Sequence, residues 1–241
     1  MKILSIGNSF SQDAQRYLHK ISVAGGKPIK AVNLYIGGCS LRTHYFNMLE
    51  DAKKYAFEFN GESTKIFVTI KEALMSDEWD YVTLQQASPV SPHYETYQPY
   101  LSELYAYVKK YAPQAKILIH ETWAYDKDAT LKLQSAKCET AEEMFSAVVP
   151  AYERAAAEIN ADGIIRAGEA INAVIKNGIE CPYRDGFHLS KGAGRYLVAL
   201  LWFCYLTGRS PEDVADIELD EDVTNEEKAI INKTVKEILN K

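Results

Sequence analysis

The 241-residue chain is short of cysteine, clustered histidine, contiguous positive charge and long apolar runs, and each shortage closes a class of function. Four cysteines, Cys39, Cys138, Cys181 and Cys204, stand far apart without a CxxC pair. That density is unlike a disulfide scaffold, so reduced and mostly structural thiols are expected. The five histidines, His19, His44, His93, His120 and His188, form no HxxxH or His/Cys cluster at ligand spacing. Neither a metal nor any other cofactor is therefore expected. Lysine and arginine never gather into a block or a stripe interleaved with aromatics, and the net charge is −6. Nothing offers a phosphate backbone an electrostatic footprint, which argues against nucleic acid as a partner. The longest apolar stretch, YLVALLWFCYLTG from Tyr196 to Gly208, is about a dozen residues, whereas a membrane span needs roughly 20. It reads as a buried core helix, and no membrane partner is expected. No apolar leader with a small-residue cleavage site opens the chain. The expected location of the chain as given is cytoplasmic, or periplasmic or secreted had a signal peptide been removed. The oligomeric state is not legible in the composition.

What is present is ordinary globular material, 47% hydrophobic and 25% charged, and one domain over residues 1–241 is the expectation. Apolar runs alternate with helical periodicity: KILSI (2–6) precedes a helical pattern at 11–23, and KAVNLYI (30–36) ends at Gly37-Gly38 before a helix near 41–52. DYVTLQ (80–85) is followed by a proline-containing loop and a helical pattern at 97–113; KILIH (116–120) by a long loop and a helix at 140–160; GIIRAG (163–168) by another helix. Strands separated by helices imply parallel crossovers, and hence an α/β fold with a five-stranded parallel sheet covered on both faces. YAFEFNGESTKIFVTI (55–70) carries Asn60-Gly61 between two alternating runs and reads as an inserted β-hairpin. Thr224 to Glu227 is a capping box that opens a terminal helix at about 225–240.

Ligands of open α/β sheets bind outside the carboxyl ends of the strands. Ser9 stands just past the first strand, at a helix start whose unpaired amides favour negative charge. Such a serine suits an acyl-transfer nucleophile; equally, Ser9 or Ser11 reads as a plain N-cap. YRDGFHLSKGAG (183–194) sets Asp185 three residues before His188. A carboxylate so close can hold one imidazole nitrogen and turn the other toward a nucleophile; the same tetrapeptide also suits a surface turn before a helix capped by Ser190.

Together these stretches resemble the blocks of the SGNH/GDSL hydrolases. Gly7-Asn8-Ser9 is similar to the GDS block, Gly37-Gly38 to the second block, and Asp185-Gly186-Phe187-His188 to the DxxH block, over roughly residues 2–207; the opening GNSFS looks closest to a poorly characterised branch. The resemblance implies a flavodoxin-like three-layer α/β/α sandwich and a serine esterase. Ser9 would attack, His188 would carry the proton, and Asp185 would steady the imidazolium. The oxyanion hole would be the amides of Ser9 and Gly38 with one side-chain amide. Asn8 replaces the usual aspartate, and TLQQASP stands where Gly-x-Asn-Asp is expected, so Gln85 or Gln86 would supply that amide; strand parity favours Gln86. Gly37, Glu121, Trp123 and Tyr125 would border the substrate, an aromatic rim with a carboxylate being suited to a sugar ring. The implied substrate is a carbohydrate or small-molecule ester, acetyl esters first. Two other readings compete. One is a nucleotide binder, opposed by the absence of GxGxxG or GxxxxGK[ST]; the other is a non-catalytic carbohydrate-binding or interaction module that keeps the fold.

Overall fold

The computed structural model describes residues 1–240. Its apolar runs become strands because a strand covered on both faces buries every side chain. In β1 (Lys2–Gly7) all residues after Lys2 are buried, and β2 (Lys30–Tyr35) is buried at its four central positions. The chain continues through β3 (Tyr55–Phe59), β4 (Glu62–Val68), β5 (Tyr81–Leu84), β6 (Lys116–His120) and β7 (Gly163–Ile165). The strands form one sheet in the order β4-β3-β2-β1-β5-β6-β7.

The sheet thus has seven strands rather than the five parallel ones expected. β2, β1, β5, β6 and β7 are parallel neighbours, while β3 runs antiparallel to β2 and β4 antiparallel to β3. The segment expected as an insertion lies within the sheet because β2 would otherwise be a bare edge, with unpaired N–H and C=O groups. Asn60 secures the junction: its amide donates to the Ala31 carbonyl at 2.7 Å and its Oδ1 accepts from the Ala31 amide at 3.0 Å. Gly61 has φ +83°, and a Cβ there would stand 2.4 Å from the Arg16 carbonyl oxygen, so this turn admits only glycine.

The helices are α1 (Ser9–Gln15), α2 (Leu18–Ala24), α3 (Leu41–Leu49), α4 (Ile70–Met75), α5 (Tyr100–Tyr111), α6 (Thr130–Ser135), α7 (Ala141–Glu158), α8 (Ala167–Lys176), α9 (Ala193–Thr207) and α10 (Asn225–Leu239). α1, α2, α8 and α10 pack around α9, and α3 and α4 pack with α5. α9 is the apolar stretch noted above. It is buried from Tyr196 through Cys204, which requires neighbours on all sides. The pattern expected as one helix over 11–23 is two, broken at Arg16-Tyr17. Tyr17 is fully buried, and its hydroxyl donates to the Lys191 carbonyl while accepting from the Asp220 amide. The four cysteines are unpaired, Cys181 alone being exposed. No described helix is long and apolar enough to cross a membrane.

Reading only the parallel strands, the order is 2-1-3-4-5, and the direction of winding reverses between β1 and β5. A crevice opens at such a reversal, at the carboxyl ends of the two strands. The loop carrying Ser9 leaves β1 there, and that carrying Gln85 and Gln86 leaves β5 alongside it.

Candidate active site

Asn8 caps α1. Its Oδ1 accepts from the Phe10 amide at 3.0 Å, and Ser11 completes a capping box by accepting from the Asn8 amide at 3.0 Å. Capping is therefore done by Asn8 and Ser11, which leaves the Ser9 hydroxyl to other work. It meets His188, 179 positions downstream: Ser9 Oγ and His188 Nε2 are 2.9 Å apart. On the far side of the ring, His188 Nδ1 is 2.8 Å from Asp185 Oδ2. Asp185 Oδ1 also accepts from the His188 amide at 2.8 Å and the Phe187 amide at 3.3 Å. Partial burial would raise this carboxyl, but its bonds to the His188 ring and to the two amides outweigh that and hold it below the usual carboxylate range. An ionised carboxylate can only accept, so Nδ1 carries the ring proton and Nε2 presents its lone pair to Ser9.

A buried carboxylate aligns the two halves. Asp13, one turn beyond Ser9 on α1, is fully buried. It accepts from Arg184 Nη1 at 2.9 and 3.0 Å, from Arg195 Nε at 2.8 Å and from the Leu189 amide at 3.0 Å. Arg184 and Leu189 flank the Asp185–His188 loop, so one side chain on the serine-bearing helix fixes both ends of the histidine-bearing loop. Sequence reasoning missed Asp13, because a lone carboxylate on a short helix reads as solvated.

Ser9, Gly37, Gly38, Tyr125 and His188 share one cavity of about 330 Å³, walled by Phe10, Pro89 and Phe187. Gly38 has φ +63°, and neither its amide nor that of Ser9 has a partner among the described residues. Asn8 Nδ2 donates to the Cys39 carbonyl at 3.0 Å, tying the Gly37-Gly38 loop to the serine loop. An aspartate at position 8 could not make that bond. Lys132 stands over Phe187 with Nζ 4.3 Å from the ring centroid and also faces the cavity.

Four of the expected site residues lie elsewhere than expected. Gln85 is buried: it accepts from His120 Nδ1 at 2.8 Å and donates through Nε2 to Asn8 Oδ1 at 2.7 Å. Burial alone lowers the His120 pKa to about 3, so that ring is neutral and its Nδ1 can donate. Gln86 accepts from the Leu41 and Ala87 amides, both at 2.9 Å, and spends Nε2 on Thr96. Both glutamine amides are thus committed to shaping loops and neither lines the cavity. Strand parity gives the direction of a side chain but not the partners it finds. Glu121 is fully buried and accepts from the Glu169 amide at 2.8 Å, with burial raising its pKa to about 8, so it cannot meet a sugar at the surface. Trp123 lies beneath the cavity, stacked on Phe10 with centroids 4.2 Å apart, its Nε1 donating to the Phe187 carbonyl at 2.7 Å. It backs the Phe10 wall and is no rim. A second cavity of about 310 Å³ lies beyond Tyr125, between Phe145, Ile171 and Tyr183. Among the described residues no group of three or more His, Cys, Asp or Glu is placed to hold a metal ion.

The central sheet flanked by helices, with this crevice, defines a class of fold that solved structures share. An acetylxylan esterase, Axe2 from Geobacillus stearothermophilus, superposes with a TM-score of 0.52 at 16% identity over 90% of this chain and 97% of its own. A GDSL-like protein from Parabacteroides merdae gives 0.57 at 16%, over 86% and 95%. At such identity the likeness is one of fold. Much nearer is a DUF4886 family protein from Bacteroides uniformis, with a TM-score of 0.92 and 33% identity over 100% of this chain and 95% of that one. The chain belongs to that family, the domain of unknown function DUF4886, whose model matches residues 2–236. No curated protein matches the chain.

Proposed function

We propose that this protein is a serine esterase of the SGNH/GDSL type that removes short acyl groups. The reading rests above all on the unbroken line Ser9 Oγ, His188 Nε2, His188 Nδ1 and Asp185 Oδ2, with spacings of 2.9 and 2.8 Å, at the switch point of the sheet. Ser9 Oγ attacks the ester carbonyl carbon and its proton passes to His188 Nε2. The imidazolium, steadied by Asp185, then protonates the departing alcohol. A water molecule deprotonated by His188 attacks the acyl-enzyme, releases the acid and restores the serine. The Ser9 and Gly38 amides receive the negative charge that develops on the carbonyl oxygen.

A cavity of about 330 Å³ with Phe10, Phe187 and Pro89 for walls suits an acetyl or other short acyl group. Acetylated carbohydrate is the first candidate, in keeping with the acetylxylan esterases that share the fold, and small-molecule acyl esters are the second. Purified protein is expected to turn over p-nitrophenyl acetate. Ser9→Ala and His188→Ala are each expected to lower kcat by at least about 10⁴-fold. Sugar binding without turnover would instead mark a non-catalytic module.

A further inference from the structure

With Ser9 as the nucleophile, two backbone amides serve the oxyanion, and the side chain expected to join them is absent, since Gln85 and Gln86 donate to Asn8 and Thr96. The cavity offers hydroxyls in place of that amide. Ser135 is already committed, its Oγ donating to the Lys132 carbonyl at 2.6 Å. Ser88 is not. It lies four residues past β5, 6% exposed, in the same cavity as Ser9, Gly38 and His188. Its Oγ accepts from the Tyr125 hydroxyl at 2.9 Å and donates to nothing among the described residues.

Resting on the esterase reading, we propose that the Ser88 hydroxyl is the third hydrogen-bond donor to the oxyanion and that Tyr125 positions it. The loop is built to hold Ser88 still. The Ala87 amide is pinned by Gln86 Oε1 at 2.9 Å, and the Ser88 carbonyl accepts from Ser91 Oγ at 3.0 Å. Tyr125 keeps its proton at working pH, because burial pushes its hydroxyl up to about 12. A hydroxyl that accepts one hydrogen bond is polarised into a better donor. No proton changes hands: the bond strengthens as the carbonyl oxygen gains charge and relaxes when the tetrahedral intermediate collapses. Gln86 thereby acts through the backbone of the loop, which accounts for a side-chain amide spent inside the protein.

Steady-state hydrolysis of p-nitrophenyl acetate tests this. Ser88→Ala is expected to lower kcat by about 100-fold with KM little changed, the split that marks an interaction made only in the transition state. Ser88→Thr, which keeps the hydroxyl, restores most of the rate. Tyr125→Phe costs about 5- to 10-fold and adds nothing once Ser88 is alanine. Active wild-type enzyme with Ser88→Ala within about threefold of it overturns the assignment and leaves the esterase reading standing. Wild-type protein that neither hydrolyses the ester nor reacts with a fluorophosphonate overturns both.

Discussion

Replacing Asp13 by asparagine removes the carboxylate that Arg184, Arg195 and the Leu189 amide share, leaving Arg195 only Asp220 at 3.3 Å, and leaves an NH2 group pointing at donors. Breaking a buried ion pair from one side costs about 3–5 kcal/mol. Arg184 and Arg195 retain 26% and 12% of their side-chain exposure and can partly rehydrate, so the lower end of about 3 kcal/mol applies. For a chain of 241 residues, at roughly 2–4 °C per kcal/mol, Tm falls by about 6–12 °C. The second consequence is kinetic. Leu189 is the neighbour of His188, so releasing its amide lets the ring drift from Ser9, and a drift near 1 Å costs up to about 100-fold in rate. Circular-dichroism melting and ester hydrolysis on the same preparation measure both. A Tm within about 2 °C of wild type together with unchanged kcat would refute Asp13 as the link between helix and loop.

Two further predictions concern other groups. Glu121 is raised to about 8 from an ordinary 4.5 by burial, so the folded protein holds its proton where the unfolded chain has lost it. The resulting stability is complete below pH 4.5 and is lost as pH rises toward 8. Glu121→Gln lacks that loss, and its Tm relative to wild type is expected to climb between pH 5 and pH 8; a constant difference would contradict the buried acid. Gly38 has φ +63° with no atom within 4 Å of a Cβ, so Gly38→Ala meets strain and no clash. It should cost about 1–2 kcal/mol, lowering Tm by about 2–8 °C and kcat more than KM as the amide swings away; unchanged kinetics would remove that amide from the proposed oxyanion hole.

The sheet was legible where burial on both faces makes strands unbroken apolar runs, as in KILSI and KILIH. The extra width was not. Whether residues 55–68 stand apart or continue the sheet depends on how Asn60 meets Ala31, a contact across sequence that periodicity does not carry. Ser9, Asp185 and His188 were legible as residue types at strand ends and at a spacing of three. Their partners were not: what Gln85 and Gln86 bond to is decided by Asn8, His120, Leu41 and Thr96, which arrive from four other parts of the chain. Glu121 and Trp123 misled for a related reason. They follow β6 as site residues do, yet Gly168 of α8 packs so closely that a Cβ there would stand 2.3 Å from the Thr122 carbonyl oxygen and 2.9 Å from Glu121 Oε1, while Phe10 stacks over Trp123.

Identifying the side chain that a fluorophosphonate modifies asks the central question most directly. Peptide mass spectrometry after brief labelling is expected to find one adduct, on Ser9, absent from Ser9→Ala and formed far more slowly in His188→Ala. An adduct on a different serine, or labelling of Ser9 at the same rate without His188, would contradict the account.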